Sequence, residues 1–169
     1  MITICGTGSR DLAVAKPEVR RSVYDWVVSW LDELAALDKV LVLSGMAEGF
    51  DECVAVAASR MGLRWEAAIP HRNYASHYWG RVSVTGRDRS GAFAGLAGGA
   101  ARRHIISPSV YIYTSDGRRV HSNFARNTWM LERSDVVLAY PTGSPGTRHG
   151  LEEAARLERD VKVYPEGRG

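Results

Sequence analysis

The chain has 169 residues, 45% of them hydrophobic and 24% charged, the size and balance of one globular domain with its own core, not of a disordered or fibrous chain. A formal net charge of +3 and a pI near 9.0 suit phosphate-bearing partners without demanding nucleic acid, and no apolar run is long enough to span a membrane. Cys5 and Cys53 make neither a disulfide framework nor a metal site, and the N-terminus enters a strand pattern with no signal-peptide layout, so a cytoplasmic location is expected.

Residues 2–5 predict a short buried strand, closed by Gly6-Thr7-Gly8-Ser9-Arg10. Pro17 then opens a helix whose Val19, Val23, Trp26, Val27, Trp30, Leu31 and Leu34 fall on one face. Residues 40–43 read as a strand covered on both sides. A loop over residues 44–49 follows, then a helix from Phe50 to Met61 closed by Gly62. Residues 65–69 predict a third strand, ended by Pro70.

Residues 71–109 show no single period and are read as one or two helices with an irregular loop. Within the single domain 1–169, residues 80–110 are the expected insertion or mobile segment. Residues 111–113 predict a short strand and residues 115–117 a turn. Residues 123–133 predict a helix and residues 135–140 the clearest strand of the chain. A third glycine-rich loop spans residues 141–146, a helix residues 151–159 and a last strand residues 161–164. Strands alternating with helices imply βαβ units. The expected fold is a single Rossmann-like α/β domain, a parallel sheet flanked by helices.

Ligands of such sheets bind beyond the carboxyl ends of the strands, where the three glycine-rich loops fall. Glycine permits close backbone approach, and the amides that open a following helix attract phosphate. Ligand-binding residues are therefore expected at Gly6, Gly8, Ser9 and Arg10, at Ser44, Gly45, Gly49 and Asp51, and at Gly143, Gly146 and Thr147. Thr147 is also the expected cap of its helix. Arg10 and Arg126, with Asn127 beside the latter, supply the guanidinium groups that hold phosphate. Taken singly, each loop is also what a tight turn looks like. The first has Gly-x-Gly without the third glycine of the dinucleotide fingerprint.

Asp51 either caps the next helix or reaches ribose hydroxyls. Glu48, Asp51 and Glu152 are the acids to consider for catalysis. The five histidines show no metal-ligand spacing, so no metal and no resident cofactor are expected. His149 faces either solvent or a ligand. Trp65 is expected in the core. Tyr74, Tyr78 and Trp79 can stack on a base, and Tyr78 and Trp79 are the better placed.

At these residues the chain resembles the SLOG superfamily, which includes the Lonely Guy (LOG) phosphoribohydrolases, the DNA-processing protein DprA, YpsA-like proteins and sensor domains for ADP-ribose-type signals. The matching pieces are Gly6-Thr7-Gly8-Ser9-Arg10, then Ser44-Gly45-Met46-Ala47-Glu48-Gly49-Phe50-Asp51, then Arg126-Asn127-Thr128-Trp129-Met130, residues 135–140 and Gly146-Thr147. The second piece is similar to the DprA loop, and the third with the strand after it is similar to YpsA-type members. The resemblance implies a Rossmann-like fold, a ligand carrying ribose and phosphate, and homo-oligomers.

One departure stands out. LOG enzymes carry Pro-Gly-Gly-x-Gly-Thr-x-x-Glu, the Glu serving N-glycosidic cleavage. Here the loop is one residue longer and Gly150 stands in the place of that Glu. Glu152, two residues on, points about 200° away on an ideal helix. The expected function is accordingly binding or sensing of a nucleotide or nucleotide-derived small molecule, ADP-ribose-like in character. LOG-like cleavage of nucleoside monophosphates and DprA-like binding of single-stranded DNA are the alternatives. Lys and Arg are spread along the chain, with Arg102-Arg103 and Arg118-Arg119 as the local pairs outside the helices.

Overall fold

The apolar runs of the sequence become the inner strands of a parallel sheet. In the computed structural model, which describes residues 1–165, β1 (Ile2–Gly8), β2 (Val40–Ser44), β3 (Arg64–Ile69), β4 (Arg102–Ile105), β7 (Val136–Tyr140) and β8 (Asp160–Val163) pair in the order β4-β3-β2-β1-β7-β8. All five pairings are parallel. β5 (Tyr111–Tyr113) and β6 (Arg119–His121) form a separate antiparallel hairpin. The expected Rossmann-like α/β domain is therefore what the chain forms.

The helices divide between the two faces of the sheet. α1 (Pro17–Leu37) and α2 (Phe50–Arg60) cover one face. α1 starts on Pro17 at its first position, where a missing N–H costs nothing. It buries Val23, Val27, Leu31 and Leu34, spaced three or four residues apart, against Ile4, Val42, Val136 and Leu138. Phe50, fully buried at the head of α2, contributes roughly 2–3 kcal/mol by leaving water. α4 (Ser122–Arg133) and α5 (Pro145–Arg156) cover the other face, packing Met130, Leu131 and Ala154 on Cys5, Leu43 and Val137. Successive residues of β1 thus serve opposite cores, as a strand buried on both faces must.

The one or two helices expected within residues 71–109 are present, whereas β4, β6, the end of β1 and the start of α5 differ from the expectation. The segment after β3 holds a π-helical stretch (Ala75–Arg81), then α3 (Ser90–Gly98), then β4. α3 is mostly Gly and Ala and buries only Phe93 and Ala97, so its period is too faint to read. β4 extends the sheet with exposed Arg102, Arg103 and Ile105, and its His104 bonds Glu66 at 2.7 Å. A charged strand fits an edge, where like-minded pairing with other chains is suppressed, but it carries no apolar signal. α5 begins at Pro145 instead of residue 151, so the end of the third glycine loop is the first helical turn. Ser144 caps it, accepting from the Thr147 N–H. Thr147 is therefore not the cap; its hydroxyl instead bonds Ser144 Oγ at 2.8 Å.

Candidate functional site

The strand order reverses next to β1, which has β2 on one side and β7 on the other. Register places Gly8, the last residue of β1, beside Tyr140, so Gly6, Thr7 and Gly8 of the expected first loop belong to the strand itself, and Ser9-Arg10 and the third loop leave the sheet together. A crevice opens at such a reversal. Here it is a cleft of about 600 Å³ that holds Gly6, Gly8, Ser9, Arg10, Asp51, Arg126, Asn127, Gly146 and Thr147 of the expected ligand residues.

The first two loops interlock. Ser9 O accepts from Phe50 N at 3.2 Å, and Ser9 N donates to Tyr140 O at 3.2 Å. Phe50 stacks on Tyr140 with ring centroids 5.9 Å apart, over Gly8, where a Cβ would stand 2.5 Å from the Phe50 ring. Gly49 has φ +83°, and a Cβ there would lie 2.5 Å from Ser9 O. At Gly45 a Cβ would meet the Asp51 carboxylate and the Arg126 side chain. These glycines are required by protein packing on protein. Ser44, Gly45 and Gly49 support the cleft from behind and do not line it. Ser44 Oγ donates to Asp51 O at 2.9 Å and accepts from Met46 N.

Asp51 and Arg126 form the polar floor, 5% and 6% exposed. Arg126 donates to Gly45 O at 2.5 Å and to Asn127 Oδ1 at 3.2 Å. Its nearest carboxylate, Asp51, stands 4.0 Å away. Burial pushes the Asp51 carboxyl up, with the Arg126 charge and the Ala47 amide opposing. Asp51 is neither a helix cap, which is Gly49, nor exposed. Tyr74, buried beneath, is pushed up to about 12 by desolvation. Asn127 Nδ2 donates to Gly146 O at 3.1 Å, tying α4 to the first turn of α5.

Glu48 is placed differently. It is 0% exposed and accepts from Arg10, Arg89, Ser83 Oγ and the Val84 amide at 2.8–3.1 Å. Burial alone would raise its carboxyl, but these four donors hold it below the ordinary value. Glu48 fastens the segment 83–89 to the back of the loops and is absent from the cleft lining. Arg10 also donates to the Tyr78 and Val82 carbonyls. Glu152 is exposed and lies outside the cleft, as does Gly143.

One wall is aromatic. Tyr78, Tyr111, His121 and Phe124 line it. Tyr78 stacks on Tyr74 at 4.9 Å, under the Arg10 guanidinium at 5.3 Å. Trp79, expected to face a ligand, is instead 0% exposed and donates its indole N–H to Met46 O at 2.7 Å. Neighbours on a helical turn point to different sides, and only Tyr78 points to the cleft. Trp65 is buried, as its strand position required. His149 stacks on Phe124 at 4.6 Å, half-buried and outside the cleft lining. The residues missed from sequence are chiefly Tyr111, His121, Asn123 and Phe124. Their signal was the helix start after the 115–117 turn, which sets the hairpin and α4 over the strand ends.

A larger groove of about 1350 Å³ runs along α1 and α2, lined by Arg20, Arg21, Arg60 and Arg87. It is open, and these arginines are exposed. The cleft is smaller but holds the buried polar groups that fix a ligand's orientation. Among the described residues no cluster of His, Cys, Asp and Glu could hold a metal, and no helix is long and apolar enough to cross a membrane.

The same fold occurs in solved structures. DNA processing protein A (DprA) from Streptococcus pneumoniae superposes with a TM-score of 0.62 at 18% identity, over 99% of this chain and 52% of that one. DprA from Helicobacter pylori, a protein with a single-stranded DNA binding mode, gives 0.62 at 16% over 99% and 67%. TM1055 gives 0.60 at 15% over 95% and 72%. The chain spans about half the length of the pneumococcal protein. Neither a family model nor a curated protein sequence matches it. At these identities the likeness is one of fold, and it is the fold that the SLOG resemblance implied.

Proposed function

We propose that the cleft binds a nucleotide-derived small molecule carrying ribose and phosphate. The carrying observation is the Arg126 guanidinium, almost wholly buried, whose nearest carboxylate is 4.0 Å away and is itself drawn toward its neutral form by burial. A buried cation without full countercharge is costly, and an entering anion relieves it. The first turn of α5 supports a phosphate there, since Ser144, Gly146 and Thr147 line the cleft at the positive end of a 12-residue helix. The 600 Å³ volume lies within the usual range of small-molecule sites, about 300–1,000 Å³.

Calorimetric titration with AMP, ADP-ribose, NAD and a cyclic nucleotide tests this. At least one is expected to bind, and Arg126→Gln to weaken it by about 10- to 100-fold, the worth of a charged hydrogen-bonding contact. Silence from every ligand at millimolar concentration would sink the reading.

Single-stranded DNA is the second reading. It is favoured by the β5–β6 hairpin at the cleft mouth, where Arg119 lies 4.2 Å from the Tyr111 ring and Tyr113 is 71% exposed, a stacking and phosphate-tracking surface. An oligonucleotide that binds far more tightly than any mononucleotide, with affinity falling steeply in salt, would favour it over the first. Catalysis would fall to Asp51, the buried one of the two acids, Asp11 and Asp51, that line the cleft. Release of free base from a nucleoside monophosphate, abolished in Asp51→Asn, is the outcome that would make the protein an enzyme.

A further inference from the structure

His121 is the N-cap of α4, and its Nδ1 accepts the Asn123 backbone N–H at 3.1 Å. A backbone amide can only donate, so Nδ1 carries no proton. In the neutral ring the proton therefore sits on Nε2, which lies 3.2 Å from the Tyr78 hydroxyl. Nε2–H donates and the Tyr78 oxygen accepts. The Tyr78 hydroxyl hydrogen is then left to donate elsewhere, and Tyr78 and His121 both line the cleft. One helix cap thus fixes the hydrogen-bond polarity of a tyrosine two steps away.

The surroundings oppose a charge on His121. Tyr78 and His77 come from the π-helical segment, Tyr111 from β5, Arg126 from α4 itself, and His71 from the loop after β3. None of these is a carboxylate. Burial, Arg126 and His77 all push the imidazole below its ordinary 6.5, and the positive end of α4 acts the same way. Protonation would turn Nδ1 into a donor facing the Asn123 N–H and remove the cap.

We propose that His121 and Tyr78 form a base-reading subsite of the cleft, in which the Tyr78 hydroxyl donates to a ring nitrogen or carbonyl acceptor of a nucleobase while His121 is neutral. Tyr111 and Phe124, whose rings lie 5.3 and 6.5 Å from His121, flank that position and suit a planar ring. Acidification adds a proton at Nδ1, which can then no longer accept the Asn123 N–H; the ring leaves its place beside the Tyr78 oxygen and the subsite loses its alignment with the base. The subsite rests on the nucleotide reading above.

Two measurements on the full chain test it. Long-range proton–nitrogen NMR of the ligand-free protein at pH 7.5 is expected to show His121 as the Nε2–H tautomer; an Nδ1–H tautomer overturns the proposal. Binding of ADP-ribose is then followed from about pH 7.5 to 4.5, a range that reaches well below the lowered His121 pKa, with a probe that lacks the phosphomonoester titrating near 6. Wild-type affinity is expected to hold down to about pH 6.5, to begin falling only below it because the His121 pKa lies under 6.5, and to drop by about tenfold per pH unit once the pH is under that lowered value. Tyr78→Phe, which keeps the ring and its stacking, is expected to bind about tenfold more weakly at pH 7.5 and to lose the pH dependence. His121→Asn retains a capping side chain and is expected to be pH-independent. Affinity indifferent to pH, or Tyr78→Phe binding like wild type, overturns the subsite alone. Failure of ADP-ribose and every other nucleotide to bind at pH 7.5 overturns the nucleotide reading beneath it.

Discussion

A methyl group placed on Gly8 would stand 2.5 Å from the Phe50 ring, and one on Gly49 would stand 2.5 Å from the Ser9 carbonyl. At Gly143 and Gly146 it would meet nothing within 4 Å. The loops share a composition and differ in what surrounds them. In the first two, glycine lets two strand ends and the head of α2 press together. In the third, Gly146 leaves the opening of α5 uncovered at the cleft, while Gly143, outside the cleft, serves a backbone turn with φ +79°. A glycine-rich loop therefore signals close approach without saying what approaches: the first lines the cleft while packed on Phe50, the second backs it, and in the third Gly146 faces it with open space.

The sharpest way to break this contrast is Gly49→Ala. It combines a left-handed φ of +83° with a backbone clash, and should cost about 3 kcal/mol or more in urea unfolding. A loss below about 1 kcal/mol would mean that the interlock yields easily.

Glu48→Gln should cost about 2–3 kcal/mol at neutral pH, since it leaves Arg10 and Arg89 without their shared carboxylate. The Glu48 carboxyl is held below its ordinary 4.5. Its contribution is therefore complete above that pH and disappears as pH falls through the depressed value. The gap between wild type and variant should narrow in acid; a gap that widens there would refute the assignment.

The smallest effect belongs to Gly146→Ala. Stability should stay within about 0.5–1 kcal/mol of wild type, or rise by that much, because alanine favours a helix. Nucleotide affinity should drop, because the new methyl enters space that lines the cleft. Unfolding and titration of this one variant separate the two roles of glycine.

Much of the architecture was legible because buried strands and amphipathic helices write themselves in hydrophobic spacing. β1, β2, β3, β7, α1, α2 and α4 follow that spacing, and the loops between them located the cleft. The elements that escaped have weak or contrary spacing. β4 presents two arginines to solvent, and α3 consists largely of residues without a side chain to count. Within the site, Arg10, Asp51, Arg126, Asn127 and Thr147 were legible from their position beside strand ends. Tyr111 and His121 were not, because the β5–β6 hairpin reaches the cleft by folding back over α4, a path set by tertiary contact. Glu48 and Asp51 look equivalent in the loop, three residues apart. One faces four donors behind the loop and the other faces the cleft, a difference of side-chain direction that linear order does not carry.

Gly150 packs against β1, where a Cβ would overlap the Thr7 hydroxyl, and Thr7 itself lines the cleft. In LOG enzymes, by the resemblance drawn from sequence, the corresponding position carries the glutamate of N-glycosidic cleavage. No larger side chain enters at 150 unless Thr7 shrinks or α5 backs away from the sheet. The contact between one threonine and one glycine thus acts as a spacer, setting how closely α5 approaches β1 beside the cleft.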